Sequence, residues 1–147
     1  MKSKWVVVVV AALLGACAEP APFGTAPAVD PGIAGLLCAR SSNCVSSRGH
    51  DAAAPLVYTG TPEQAMAWLQ ATLKTFPEAT VVRSEALAMV VIFTTRVGFR
   101  DQVDFKIDEA AQRIHFRSRS LVGLFDFGKN RWRMQEFRAR FEQQARP

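Results

Sequence analysis

The chain has 147 residues, 49% of them apolar and 21% charged, with a formal charge of +5. This is the composition of one ordinary globular domain, and it excludes both a disordered polar tail and a multi-span membrane protein. The charge is uneven. Residues 113–146 carry nine basic side chains against Asp126, Glu136 and Glu142, whereas residues 19–112 are net acidic, so the positive field belongs to the C-terminal quarter unless its arginines simply form a solvated helix face.

Lys2 and Lys4 precede an unbroken apolar run over residues 5–14, the pattern of a secretory signal. The run is shorter than the roughly 20 helical residues of a permanent span. Leu14-Gly15-Ala16-Cys17 then resembles the bacterial lipobox, in which small residues precede a cysteine that is acylated and becomes the new amino terminus. The resemblance implies a signal peptide over residues 1–16 and lipidation of Cys17, palmitate included; the alternative is an ordinary signal peptide with a stray cysteine. Two or more acyl chains would hold the protein stably, at ~0.8 kcal/mol per buried methylene. Ala18 stands where lipoproteins kept in the inner membrane commonly carry Asp, so the resemblance implies anchoring in the outer membrane, with the periplasmic side as the expected setting.

Residues 17–34 form a linker containing Pro20, Pro22, Pro27 and Pro31 with Gly24 and Gly32, a composition that favours extended polyproline II over a packed core. At ~3.1 Å per residue, its residues 18–32 would reach about 45 Å from the anchor. A single domain is expected over residues 35–147. Setting Cys17 aside leaves Cys38 and Cys44, which in an oxidising exported context are expected to form a disulfide. A metal site using both thiolates with His50 or His115 is the alternative, although the spacing matches no zinc ribbon.

Thr61-Pro62-Glu63-Gln64 reads as a helix start, with Thr61 as N-cap, Pro62 in the first turn and Gln64 reaching back. Met66, Leu69, Leu73 and Phe76 recur at helical spacing before Pro77. From Thr80 the period becomes two. Residues 87–97 are apolar on both faces, as in a strand covered on two sides. Over residues 101–108, Val103, Phe105 and Ile107 point one way and Gln102, Asp104 and Lys106 the other; over residues 113–119, Ile114 and Phe116 oppose Arg113, His115, Arg117 and Arg119. If the apolar sides share one face, Phe105 lies against Phe116, Ile107 against Ile114, Asp104 against Arg117 and Lys106 against His115. A last helix is expected from Asn130 as N-cap, with Met134, Phe137 and Phe141 on its apolar stripe and Arg133, Glu136, Arg140 and Gln144 largely off it. The order helix, about four strands, helix implies an α+β domain in which two helices pack on an antiparallel sheet.

Three ordered segments carry a family resemblance: Cys38-Ala39-Arg40-Ser41-Ser42-Asn43-Cys44-Val45-Ser46-Ser47; Phe99-Arg100-Asp101-Gln102-Val103-Asp104-Phe105; and Arg117-Ser118-Arg119-Ser120-Leu121-Val122-Gly123 running into Asp126-Phe127-Gly128-Lys129-Asn130-Arg131-Trp132-Arg133. Together they resemble the bacterial domain-of-unknown-function 1499 family, over roughly residues 37–141. The resemblance implies a fold and an envelope setting, and no reaction. The family pattern usually has prolines where Ala39 and Ser42 stand, a second Asp at Gln102 and an Arg at Leu121, so an ionic site built on that Arg and Asp is expected to be weakened here.

Ser46, Ser47, Ser118 and Ser120, with His115 and Asp104 or Asp126, suggest a hydrolase, but no nucleophile elbow is present and His115 and Ser118 fall on opposite sides of one strand. No catalytic residue, metal or cofactor is assigned. A binding or assembly module is the preferred expectation, with the membrane, an envelope protein or an anionic cell-wall ligand as partner. Nucleic acid is not expected, since the aromatics lie at core periods rather than among the arginines. The candidate ligand site comprises Arg117, Ser118, Ser120, Asp126, Asn130 and Arg131, where a helix start and two arginines would take a carboxylate or phosphate. The plainer expectation is that Asp126 neutralises Arg131 or Arg133, Asn130 only caps, and the loop phenylalanines dock on the core.

Overall fold

The computed structural model describes residues 32–146. The expected signal peptide, Cys17 and the expected linker through residue 31 lie outside the described residues. A 3₁₀ turn at Ser41–Asn43 leads into strand β1 (Cys44–Ser46), and β2 (Leu56–Val57) precedes helix α1 (Pro62–Leu73). Four longer strands follow, β3 (Ala79–Glu85), β4 (Ala88–Thr94), β5 (Arg100–Asp108) and β6 (Arg113–Ser120), and the chain closes with helix α2 (Lys129–Gln144).

The strands form one antiparallel sheet in the order β1-β6-β5-β4-β3, with β2 also pairing with β6. The sheet therefore has six strands rather than about four. β1 and β2 are three and two residues long, too short to show a period of two; only their pairing along the free edge of β6 defines them. The central hairpin has the register read from the alternation, with Phe105 opposite Phe116, Ile107 opposite Ile114, Asp104 opposite Arg117 and Lys106 opposite His115.

Helix α1 starts as its sequence requires. The Thr61 side chain accepts from the Gln64 backbone N–H at 3.3 Å, and Gln64 Oε1 accepts from the Thr61 N–H at 2.9 Å, which satisfies two helix-end donors. Ala65, Leu69, Thr72 and Leu73 are buried. Phe76 lies beyond the helix end but is also buried. Both helices pack on one face of the sheet, where Met89, Val91, Phe93, Val103, Phe105, Ile107, Ile114 and Phe116 meet Leu69, Leu73, Met134, Phe137 and Phe141. Phe137 is central to this core, with its ring 5.0 Å from Phe105 and 5.7 Å from Phe76. Close packing of this kind makes each such side chain costly to truncate.

On the other face Ala88, Val90 and Ile92 are buried beside Gln102, Asp104 and His115, so β4 is covered on both sides. Arg117 Nη2 meets Asp104 Oδ2 at 2.8 Å. Cys38 and Cys44 form a disulfide with an S–S distance of 2.04 Å, and the alternative that required both as metal-binding thiolates falls away. Among the described residues no helix is long and apolar enough to cross a membrane.

Candidate functional site

The apolar core stops at one end of the sheet, where Asp101, Ser118 and Ser120 continue the inward phase of their strands. Asp101 shares the odd phase of Val103 and Phe105, and the two serines share the even phase of Ile114 and Phe116. The first turns of α2 close over them. Arg133 Nη2 donates to Asp101 Oδ2 at 2.5 Å, and both side chains are almost fully buried. Ser120 Oγ donates to Asp101 Oδ1 at 2.7 Å. Arg133 Nη1 donates to Asn130 Oδ1 at 2.8 Å, which also accepts from Ser118 Oγ at 2.6 Å. The Asn130 Nδ2 group donates to Asp126 Oδ2 at 2.8 Å, to Ser120 Oγ at 3.2 Å and to Asn43 O at 3.2 Å. The Arg133 guanidinium also lies 4.8 Å from the Phe93 ring centre, within reach of a cation–π attraction.

This network corrects two expectations. Arg133, placed largely off the apolar stripe, is buried, because an ion-pair partner waits on β5. Asn130 is not the N-cap: α2 begins at Lys129, Gly128 is the cap residue, and Asn130 is fully buried one residue into the helix. The carboxylate of Asp126 takes the capping role, accepting from the Gly128 N–H at 3.0 Å and the Asn130 N–H at 2.8 Å. The helix start already holds an anion, and it belongs to the chain itself. Arg133 pairs with Asp101 instead, and among the described residues no ion pair joins Asp126 to Arg131.

Of the candidate site residues, Ser118, Ser120, Asp126 and Asn130 come together. Arg117 projects from the opposite face of the sheet, where Nε and Nη2 bond Asp104 and Nη1 donates to Gly35 O at 2.9 Å. Arg131 is exposed and borders a cavity of about 260 Å³ with Arg48, His50 and Asp51. Ser118 has Asn130 and Arg133 as neighbours. His115 lies on the far face with its Nδ1 3.2 Å from Ser47 Oγ, and Ser47 Oγ also accepts from the Phe116 N–H at 2.8 Å. Burial, then the Arg48 charge, hold the His115 imidazole below its ordinary pKa, with Asp108 acting in the opposite sense.

The loop phenylalanines do not dock on the core. Phe125 is 68% exposed and Phe127 is 99% exposed; Phe99, from the β4–β5 turn, is 59% exposed. The loop backbone is pinned by the 3₁₀ turn, since Ser42 Oγ donates to Leu124 O, Asn43 Nδ2 to Gly123 O, and the Asp126 N–H to Ser42 O. The bonded side faces the domain and the rings point away. Phe127 also has φ +55°, in the left-handed region that costs a residue with a Cβ roughly 1–2 kcal/mol. Phe99, Val122, Phe125 and Phe127 form the walls of a groove of about 320 Å³ that Asp101, Ser120 and Asp126 also line. The groove shares Thr95 and Lys129 with a neighbouring cavity of about 490 Å³ that Trp132 and Arg96 border.

A family model described as protein of unknown function (DUF1499) matches residues 36–141. The chain belongs to this family. No curated protein matches it. The matched span opens at Leu36 and closes at Phe141, both fully buried, so the DUF1499 unit coincides with the folded core. Gln102, where the resemblance implied a second Asp, is buried and bridges two groups. Its Nε2 donates to Asp104 Oδ1 at 2.5 Å and its Oε1 accepts from Arg119 Nη2 at 3.3 Å. Burial and the nearby Arg117 charge lower the pKa of Arg119. Leu121, where an Arg was implied, is half-buried and bonds through its backbone N–H to Arg100 O.

Proposed function

We propose that this DUF1499 protein is a lipid-anchored lipoprotein of the cell envelope, held through Cys17 in the outer membrane on its periplasmic side, whose domain is a non-catalytic binding or assembly module. Its binding face is the groove rimmed by Phe99, Phe125 and Phe127. The observation that carries this reading is Phe127, an aromatic side chain left wholly in water on a backbone conformation unfavourable to it. Neither packing nor local backbone preference accounts for that placement, and strain of this kind points toward a role in recognition. The polar cluster beneath the groove supports the same reading, because its groups are engaged with one another and serve to hold the rim.

Two measurements test this. Intact-mass analysis of the natural product is expected to show an acylated chain beginning at Cys17; an unmodified chain beginning at Met1 overturns the anchor. A photocrosslinker at Phe127 of the full chain in cells is expected to give adducts that the same group at exposed Glu142 does not. Equal labelling at both positions overturns the binding face.

A second reading keeps an anionic ligand but moves it. Arg131 borders a cavity with Arg48 and His50, so a small carboxylate or phosphate would bind there rather than among Arg117, Asn130 and Arg131. Citrate or phosphate raising the melting temperature, with the rise lost in Arg131→Ala, supports this reading; no shift with either anion removes it.

A further inference from the structure

The rim's surroundings indicate its occupant. Val97 and Phe99 project from the β4–β5 turn, Leu124, Phe125 and Phe127 from the β6–α2 loop, and Trp132 from the start of α2; each is more than half exposed. Exposed basic residues are interleaved with them, Arg96 beside Val97 and Lys129 between Phe127 and Trp132, so these aromatics depart from the core periods expected of them. Nearby acids are largely engaged. Asp101 pairs with Arg133 and Glu136 with Arg140, and Asp126 caps α2, which leaves Glu78, bordering the adjoining cavity, as the local counter-charge. The apolar groups therefore sit on loop tips that rim the groove, with Arg96 and Lys129 beside them. Aromatic tips with lysine and arginine beside them match the boundary between acyl chains and negatively charged headgroups.

We infer that this end of the domain docks into the interface of an anionic lipid bilayer, with Phe125, Phe127 and Trp132 at the acyl boundary and Arg96 and Lys129 on headgroup phosphates. The inference rests on the rim being the binding face and names its partner. Lipid anchoring alone would tether the domain without orienting it; this surface would fix which end faces the membrane.

Trp132 is a built-in reporter. The full chain is reconstituted into phosphatidylcholine vesicles, with or without phosphatidylglycerol, that carry bromine high on the acyl chains, and tryptophan quenching is compared with that of Trp132→Phe. Quenching is expected in wild type with phosphatidylglycerol, lower in its absence and at about 1 M salt, where the screening length shrinks to about 3 Å. The Trp132-dependent part is expected to vanish in Phe125→Ser/Phe127→Ser, each ring left in water forfeiting about tenfold or more in partition. Both positions are exposed, and an unchanged circular-dichroism melt verifies that the variant folds. Quenching that is equal in wild type and Trp132→Phe, or indifferent to the two phenylalanines, overturns the inference. If the Phe127 crosslinker then captures one protein reproducibly, the binding face stands and its occupant is a protein. Intact mass of the same sample reports the anchor separately.

Discussion

Replacing Arg133 by Met removes one member of a buried ion pair and leaves the Asp101 carboxylate with the Ser120 hydroxyl as its side-chain donor. A buried charge stripped of its partner costs about 3–5 kcal/mol, and the same substitution loses the bond to Asn130 and the contact with the Phe93 ring. Asp101→Leu strands the guanidinium instead and is expected to cost a similar amount. Against a typical domain stability of about 5–15 kcal/mol, either single variant approaches the threshold of folding; at about 4 °C per kcal/mol the melting temperature falls by roughly 12–20 °C. The double variant Asp101→Leu/Arg133→Met leaves neither charge uncompensated and is expected to be more stable than the sum of the singles by about 2 kcal/mol or more. Equilibrium urea unfolding of the four proteins measures this directly. Additivity to within about 0.5 kcal/mol would show that the two groups are not energetically coupled, and the description of the network as the support of the rim would be wrong.

Phe127→Gly is expected to stabilise the domain by about 0.5–1 kcal/mol, since relief of the left-handed backbone outweighs the added freedom of glycine in the unfolded chain; a lower melting temperature would contradict the strain assigned to φ +55°. Because the folded state holds His115 below its ordinary pKa near 6.5, the unfolded chain binds the proton more readily. Its contribution is therefore complete above that value and is lost as pH falls through and below it. Urea midpoints taken against pH should show this slope, and His115→Gln should flatten it; an unchanged slope would place the titration elsewhere. Cys38→Ser/Cys44→Ser is expected to lower stability by roughly 2 kcal/mol, the loop-closure entropy of so short a ring, with denaturant unfolding of wild type and variant as the measurement; no difference would mean that neighbouring contacts order this segment without the covalent bond.

The limits of sequence reading show best on β5. Its alternation determined the hairpin register and placed Asp104 against Arg117, because side chains on a strand must alternate and one face had to be buried. The same alternation put Asp101 in phase with Val103, a charge on the apolar side, and that was the available signal for a buried ion pair. Its partner was not readable. Arg133 lies one residue from Met134 in a helix whose other arginines are exposed or half-buried, and the direction in which α2 crosses the sheet decides which arginine reaches the aspartate. The loop phenylalanines were ambiguous for a related reason, since a mixed loop has no period from which an inward side can be inferred.

Local chemistry along the chain specified the capping box at Thr61, the pairing of β5 with β6, the stripe of Met134, Phe137 and Phe141, and the cysteine pair, because each depends on neighbours in sequence or on one repeating period. The addition of β1 and β2 to the edge of β6, the capture of Arg133 by Asp101, the cap from Asp126 and the outward turn of Phe125 and Phe127 depended on segments distant in sequence meeting in space. Contacts of that kind follow from how the helices lie across the sheet, and no local pattern encodes that angle.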